Sequence, residues 1–219
     1  MRRILYLYLL GCLTPSFGQS STIPFVSERM VIDGTLDESV WSALPEITGF
    51  HNYMPPDEGL SKHQTRVKLF HDGSYLYVGA IYGDTEARIQ TSSLKRDVSI
   101  GISDAFILIL DTQNQQQNGY YFAVNGYGTQ VDGLVERIGE GFDFSLSWNT
   151  VWKSAASVEG THKIYEMAIP LKALNYEGSH PIFGIQMYTR DIKKNAWTIL
   201  THVKRNYRLF DLRFTKPFA

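Results

Sequence analysis

Apolar and polar residues alternate with a period of two along much of this chain, which is the pattern of half-buried β-strands. In residues 65–70, the apolar side chains of Val67 and Leu69 lie on one face of the predicted strand. Arg66 and Lys68 lie on the other face, and the pattern therefore predicts one buried and one solvated side.

Continuous apolar runs predict further strands that are buried on both faces. The predicted strands span residues 65–70, 75–82, 105–110, 120–124, 150–158, 164–169, 182–190, 197–204 and 208–215. Helical pattern is confined to Leu36–Leu44, where Thr35 can cap the first turn, and to a shorter segment at Thr85–Gln90. About ten short strands with one or two short helices predict an all-β fold, an antiparallel β-sandwich of the immunoglobulin or jelly-roll kind.

The first residues have the layout of a secretory signal peptide. Arg2 and Arg3 precede the apolar run Ile4–Leu13, which is too short to span a bilayer, and small residues follow it. Cleavage is expected after Gly18, which makes residues 1–18 the signal peptide and residues 19–219 one domain. We therefore expect export to the periplasm, the cell envelope or the medium, with no transmembrane segment left after cleavage.

Cys12 offers an alternative to this cleavage site. The segment Leu9-Leu10-Gly11-Cys12 resembles a bacterial lipobox, in which Cys12 would be lipidated, although the apolar run before it is short for that role. No cysteine follows residue 18, so the predicted domain contains no disulfide.

Composition narrows the classes of function. A net charge of -1 gives no bulk attraction to nucleic acid, and 43 % hydrophobic and 13 % aromatic residues exclude a disordered chain. The motifs GxSxG, HExxH, GxGxxG and the P-loop are missing, and the six histidines show no ligand spacing. A non-catalytic protein is therefore predicted. The carboxylate pairs that keep a glycosidase as an alternative are Asp104 with Asp111 and Asp132 with Glu136.

Aromatic side chains suggest binding instead of catalysis, because flat rings stack on sugar rings. Trp148 and Trp152 are four residues apart in an extended segment and should face the same side. Gln186, Tyr188 and Arg190 also share a strand face. The alternative for each aromatic side chain is a place in the core.

Several aspartates stand at the ends of predicted strands, where carboxylate oxygens could hold a calcium ion. The candidate metal ligands are Asp84, Asp104 and Asp132. The alternative is that these residues serve as turn and cap residues, with no bound cofactor.

Short motifs in a fixed order resemble the family 9 carbohydrate-binding modules and their relatives. The opening segment Val31–Glu38 with Trp41 is similar to the family's IDG-x-LDE-x-x-W pattern. The later matches are Tyr75-Leu76-Tyr77-Val78-Gly79, Lys95-Arg96-Asp97, Ser103-Asp104-Ala105-Phe106, Leu110-Asp111, Phe122-Ala123-Val124-Asn125 with Gly128, Gln130 and Asp132, Trp148 with Trp152, and Tyr165-Glu166-Met167-Ala168-Ile169-Pro170 with Leu174. The resemblance covers residues 23 to 214 and is nearest to the subgroup at the N-terminus of bacterial envelope proteins, ahead of a membrane-barrel-like region. The chain would then be a stand-alone module or a truncated larger protein.

The resemblance implies a β-sandwich that binds a poly- or oligosaccharide, often beside glycoside hydrolases in carbohydrate catabolism. In the family, two tryptophans grip the sugar, and their places fall near Gly101 and within residues 202–206, where this chain has no tryptophan. Other aromatic residues would have to replace that clamp. The predicted ligand-binding residues are Arg96, Asn125, Trp148, Trp152, Tyr188, Arg190 and Trp197.

Two other functions stay open at this point. One is a protein-interaction module of the periplasm or outer membrane that binds no sugar. The other is implied by the resemblance, since related sandwiches hold haem through methionine with histidine or lysine, and the methionine candidates are Met54, Met167 and Met187.

Overall fold

A computed structural model describes residues 21–28, 30–83, 88–178 and 181–219. The predicted signal peptide, Cys12 and Asp84 lie outside the described residues. No helix in the described ranges is long and apolar enough to cross a membrane.

The described chain forms two antiparallel sheets. Its strands are β1 (His51–Met54), β2 (Thr65–His71), β3 (Tyr75–Gly83), β4 (Ala105–Asp111), β5 (Asn118–Asn125), β6 (Gln130–Ile138), β7 (Gly141–Ser145), β8 (Lys153–Glu159), β9 (His162–Pro170), β10 (Phe183–Asp191), β11 (Ala196–Ile199) and β12 (Lys216–Phe218), and its α-helix is α1 (Ser39–Ala43). The larger sheet has the order β1-β11-β10-β4-β5-β6-β7, with β12 also paired to β10, and the smaller has the order β2-β3-β9-β8. The predicted antiparallel β-sandwich is confirmed.

The core lies between the two sheets. Phe106 and Leu108 of β4 pack there with Val78 of β3 and Met167 of β9, and all four side chains are fully buried. Because side chains alternate along a strand, Ile107 lies on the opposite face of β4, where it is also buried. The continuous apolar run at residues 105–110 is thus explained by burial on both faces.

The outer face of the larger sheet, which is the face turned away from the smaller sheet, is covered by the chain itself. Residues 203–214 pack on this face, and Val203 and Leu212 are fully buried against it. Tyr207 and Phe214 are partly buried there. This segment decides which residues of the outer face remain open to solvent.

The outer face of the smaller sheet is covered by the segment that contains α1. The Trp41 ring lies edge-on to Phe70 with 5.2 Å between ring centroids. Gly79 of β3 makes this close approach possible, since a Cβ atom there would come within 2.9 Å of Leu36 and 3.0 Å of Trp41. The opening motif of the sequence therefore serves the packing of the sandwich.

Parts of the predicted secondary structure were wrong. Residues 208–215 form turns and a short 3₁₀ helix instead of a strand, because their apolar side chains cover the outer face of the larger sheet. The strand near the C-terminus is β12, and β11 ends at Ile199. The helix predicted at residues 36–44 is limited to α1, and residues 88–90 have no regular structure. The sequence pattern missed β1, β6 and β7.

Candidate functional site

Strand β10 brings three predicted residues to the outer face of the larger sheet. Gln186 is buried, and its Nε2 donates to the carbonyl oxygens of Thr201 and Phe214 at 3.0 and 3.1 Å. These bonds attach Thr201 and the C-terminal end of the covering segment to the sheet. Gln186 therefore has a structural role and offers no surface to a ligand.

Tyr188 lies beneath the same covering segment. Its side chain is 2 % exposed. Burial raises the pKa of the Tyr188 phenol well above its ordinary value, and the nearby Tyr121 raises it further. Burial also raises the pKa of Tyr121, to which Tyr188 is hydrogen-bonded. Both phenols thus stay neutral and enclosed, and Tyr188 has no face open to a sugar.

Arg190 and Trp197 are the predicted residues of this face that solvent reaches. The Arg190 guanidinium lies over the indole, 5.1 Å from the ring centroid, and its Nε donates to the carbonyl oxygen of Gly101 at 3.2 Å. One terminal nitrogen donates to Oδ1 of Asn195 at 2.8 Å, and the other donates to the carbonyl oxygens of Asp191 and Ala196 at 3.3 and 3.4 Å. We call Gly101, Arg190, Asn195 and Trp197 the Trp197 rim.

The Trp197 rim is partly buried and carries a fixed charge. Burial lowers the pKa of Arg190, and the carboxylates of Asp191 and Asp104 oppose that change. Because arginine is too weak an acid to lose its proton in proteins, the guanidinium remains charged. The rim therefore offers an apolar ring, a cation and the amide of Asn195 at one place.

The two regions where the family resemblance predicted clamp tryptophans both contact residues of the outer face. Gly101, near the first expected tryptophan, is in direct contact with Arg190. Val203, inside the second expected segment, packs on the same outer face as Trp197. Trp197 could thus serve that face from a different position in the sequence.

Arg96 is bound within the chain. Its guanidinium donates to Gln130 at 2.7 Å, to the buried carboxylate of Asp132, and to the carbonyl oxygen of Thr150 at 2.9 Å. Arg96 lies in the segment that precedes β4. Its contacts connect this segment to strand β6 and to the residues that precede β8. The donors of Arg96 are therefore engaged by the protein itself.

Asn125 closes the turn between β5 and β6. Its Nδ2 donates to Thr91 Oγ1 and to the carbonyl oxygen of Ser93, and its Oδ1 accepts from the backbone amides of Tyr127 and Thr129. The side chain is 4 % exposed. It is thus placed as a structural residue.

Trp148 and Trp152 both pack against Phe122, as their spacing predicts. Trp152 is 5 % exposed, and its Nε1 donates to Asp132 at 3.3 Å. Trp148 is partly buried, with its ring 4.9 Å from that of Tyr120. Trp152 is thus part of the core, and Trp148 lies at the core margin away from the Trp197 rim.

The two described metal candidates lie in separate clusters. Asp104 is fully buried and accepts hydrogen bonds from Lys163 Nζ at 3.0 Å and from the backbone amides of Gln90 and Ile192. Asp132 instead accepts from Arg96, Trp152 and the amide of Thr150. Within the described ranges, no three His, Cys, Asp or Glu side chains come together in a way that could hold a metal ion.

The methionines proposed for haem also lie in hydrophobic clusters. Met167 and Met187 are fully buried in the core between the sheets. Met54 packs on the outer face and pairs with Trp197 in the β1–β11 register.

Sequence reasoning missed Gly101 and Asn195 as members of the rim. Asn195 stands in the β10–β11 turn with φ of 47°, a conformation that asparagine tolerates. That turn position beside Trp197 was the available signal. Gly101 acts through its backbone carbonyl, which no side-chain pattern reveals.

A cavity of about 500 Å³ lies at the other end of the sandwich. Its lining includes Phe25, Leu76, Leu171, Tyr176 and Phe183. Its polar side chains are His71 and Tyr176, and the rest of the lining is mainly apolar. It therefore offers fewer convergent polar groups than a sugar site usually has. The Trp197 rim is the better candidate.

Comparisons with known proteins identify the family and the fold. A family model described as "Carbohydrate family 9 binding domain-like" matches residues 32–203. A family 9 carbohydrate-binding module from Caldicellulosiruptor kristjanssonii in complex with cellotriose is similar at 12 % identity, with a TM-score of 0.64, over 91 % of this chain and 92 % of that one. The same kind of module from that organism with glucose has 12 % identity and a TM-score of 0.62, over 90 % and 93 %.

A putative carbohydrate-binding protein from Bacteroides uniformis has the same fold. It shares 13 % identity and a TM-score of 0.70, over 91 % of this chain and 97 % of that one. Among curated proteins, no sequence matches the chain. The predicted family resemblance is confirmed, and the solved structures support the fold.

Proposed function

Because the chain belongs to the carbohydrate family 9 binding domain-like family, we propose that it is a carbohydrate-binding module whose ligand contacts the Trp197 rim. The observation that carries this proposal is the solvent-accessible pairing of Trp197 with Arg190, 5.1 Å apart, on the outer face of the larger sheet. The module would bind a poly- or oligosaccharide without chemical change.

The rim has the chemistry that saccharide recognition needs. The indole of Trp197 offers an apolar face for the C–H groups of a sugar ring. The amide of Asn195 can donate to a hydroxyl group through its Nδ2. Arg190 keeps one Nη2 hydrogen for a ligand, because its other N–H groups donate to Asn195 and to three backbone carbonyl oxygens. The hydrogen bond between Arg190 and Asn195 at 2.8 Å holds both groups in place before a ligand arrives.

The positions of the carboxylates support a non-catalytic role. Asp104 and Asp111 stand at opposite ends of β4 and are both buried. Asp132 is buried and accepts hydrogen bonds from Arg96 and Trp152. A glycosidase needs two carboxylates that face each other across an open groove.

Export and the biological setting belong to the same proposal. The cationic and apolar N-terminus supports secretion to the periplasm or the cell envelope. The resemblance to modules that often occur beside glycoside hydrolases supports action beside such enzymes in carbohydrate catabolism. The module would then hold such a partner near its polysaccharide.

A pull-down on insoluble polysaccharides and a titration with cello-oligosaccharides would test the proposal. We expect Trp197→Ala to lower the affinity about 30-fold, because a central tryptophan contributes about 2 kcal/mol or more to binding. The matched control is Tyr127→Ala, which removes an aromatic residue that is 60 % exposed in another turn. If no saccharide binds the wild-type protein, or if both variants behave alike, the proposed function is incorrect.

A further inference from the structure

Basic residues are concentrated in the part of the chain that forms and covers the outer face. Residues 190–216 contain eight basic and two acidic residues, whereas the rest of the chain contains thirteen basic and twenty acidic residues. The two acidic residues are Asp191 and Asp211, which are buried and bound to Lys194 and Arg213. The exposed charge of this segment is therefore almost entirely positive.

The covering segment holds these cations on the surface of the sheet. Tyr207, Leu209 and Phe210 pack on the outer-face cluster, so their backbone is anchored. Arg208 lies between Tyr207 and Leu209, and Lys204 follows the buried Val203. Both of these basic side chains are exposed to solvent. The cations thus stand on a fixed platform, and binding a ligand would not require that the segment first become ordered.

Arginines on this face stack on aromatic rings. The guanidinium-to-centroid distances are 5.1 Å for Arg190 over Trp197, 5.7 Å for Arg208 over Phe210, and 5.1 and 5.7 Å for Arg213 over Tyr207 and Phe142. The N–H groups of Arg190 and Arg213 donate mostly to the protein itself. The guanidinium of Arg208 has no such acceptor in the described part of the chain, and its planar fork matches a carboxylate or a sulfate.

The stacked pairs form one continuous surface with the Trp197 rim. Met54 of β1 is paired with Trp197, and the neighbouring Tyr53 donates from its hydroxyl to the carbonyl oxygen of Tyr207 at 3.1 Å. Tyr207 in turn contacts Phe214, with 5.0 Å between ring centroids. A polymer that stacks on Trp197 would therefore lie next to the cations of the covering segment.

Two of these cations have no acidic partner within the described residues. Lys204 and Arg208 form no ion pair there, whereas Arg213 is held by Asp211 and Arg190 lies in the field of Asp191 and Asp104. Arg205 is 3.6 Å from Asp57, and both side chains are more than 40 % exposed, which makes that pair weak. The charge of the surface is thus available to a ligand.

We propose that the saccharide bound at the Trp197 rim is an acidic polysaccharide, which carries carboxylate or sulfate groups. This inference rests on the proposed function and adds the class of ligand. Trp197 stacks on one sugar ring, and Lys204 and Arg208 bind acidic groups along the polymer. Arg190 contributes its positive charge and its remaining Nη2 hydrogen at the stacked ring.

Isothermal titration with matched pairs of polymers tests the inference. The first pair is polygalacturonate and its fully methyl-esterified form, and the second pair is dextran sulfate and dextran. We expect an acidic polymer to bind at least about tenfold more tightly than its neutral counterpart, and added salt to weaken its binding. The first pair would identify carboxylate as the recognised group, and the second would identify sulfate.

Variants locate the effect on this surface. Combined Lys204→Gln and Arg208→Gln should lower affinity for the acidic polymer about tenfold while the affinity for neutral cello-oligosaccharides is unchanged. The control Arg66→Gln removes the same charge from β2 of the smaller sheet and should have no effect. Trp197→Ala should also lower the affinity for the acidic polymer.

Each other outcome counts against the inference. Equal affinity for acidic and neutral polymers would show that the preference for acidic polysaccharides is wrong, while the proposed saccharide binding would stand. If no saccharide of either kind binds, the proposed function fails as well. If duplex DNA binds as tightly as the acidic polysaccharide and Trp197→Ala changes neither, the surface attracts polyanions in general and the inference is wrong.

Discussion

The ammonium nitrogen of Lys163 lies 3.0 Å from a carboxylate oxygen of Asp104, and the two side chains are 1 % and 0 % exposed. The carboxylate of Asp191, also buried, is 3.7 Å from the same nitrogen. A lysine therefore supplies positive charge among these carboxylates inside the sandwich.

Removing this ammonium group should destabilise the fold. Lys163→Met removes the positive charge that balances the buried carboxylates of Asp104 and Asp191. Loss of one member of a buried ion pair lowers the free energy of unfolding by about 3–5 kcal/mol. The measurement is the free energy of unfolding in urea. The exposed Lys172→Met is the control and should change this energy by less than about 0.5 kcal/mol. Equal stability of the two variants would contradict a structural role for the pair.

Removal of divalent cations should leave the protein's stability unchanged. The oxygens of Asp104 accept from Lys163 and from two backbone amides, so this carboxylate is already occupied by the protein itself. Thermal unfolding in EDTA and in calcium chloride provides the comparison. A higher unfolding temperature in calcium would show that a metal site stabilises the fold.

The pH dependence of stability should reflect Glu166. One of its oxygens accepts from the amides of Asp33 and Gly34, each at 3.0 Å, while the other is buried without a hydrogen-bond partner among the described residues. Burial raises the pKa of Glu166 from 4.5 to about 7, and the two amide bonds only partly oppose this change.

Because the pKa is higher in the folded state, the folded protein binds more protons between these two values. Stability is therefore greatest below pH 4.5 for this group and falls as the pH rises to about 7, by at most about 3 kcal/mol. Glu166→Gln should remove this decline, and urea unfolding across that range measures it. If the variant and the wild type decline equally, Glu166 is not the cause.

Arg96→Met should affect stability and leave saccharide affinity unchanged. The change leaves the buried carboxylate of Asp132 without its guanidinium, which costs about 2–3 kcal/mol. The neighbouring exposed Lys95→Met serves as the control. If Arg96→Met weakened saccharide binding in folded protein with no loss of stability, Arg96 would be a ligand residue.

The sequence predicted the fold more fully than the site. The continuous apolar run at residues 105–110 indicated a strand with both faces buried, and β4 is such a strand. Residues 208–215 also alternate, but that alternation reflects a covering segment that packs Leu212 and Phe214 on the sheet. Alternation within one segment does not distinguish these two kinds of burial.

The same limit applies to the candidate site. Alternation correctly placed Tyr188 and Arg190 on one face, yet it contained no information about which of them residues 203–214 would cover. Asn125 and Trp152 are likewise buried by contacts with segments distant in sequence. Exposure depends on tertiary packing, which strand periodicity does not report.

The most direct test of the central claim is a titration followed through the four tryptophan indole N–H signals in a ¹H–¹⁵N NMR spectrum. Addition of a bound saccharide should shift the Trp197 signal, while Trp41 and Trp152, which are 2 % and 5 % exposed, should keep theirs. Assignment would come from loss of one signal in Trp197→Phe. A shift confined to Trp148, or binding that leaves the Trp197 signal unchanged, would contradict the Trp197 rim as the binding site.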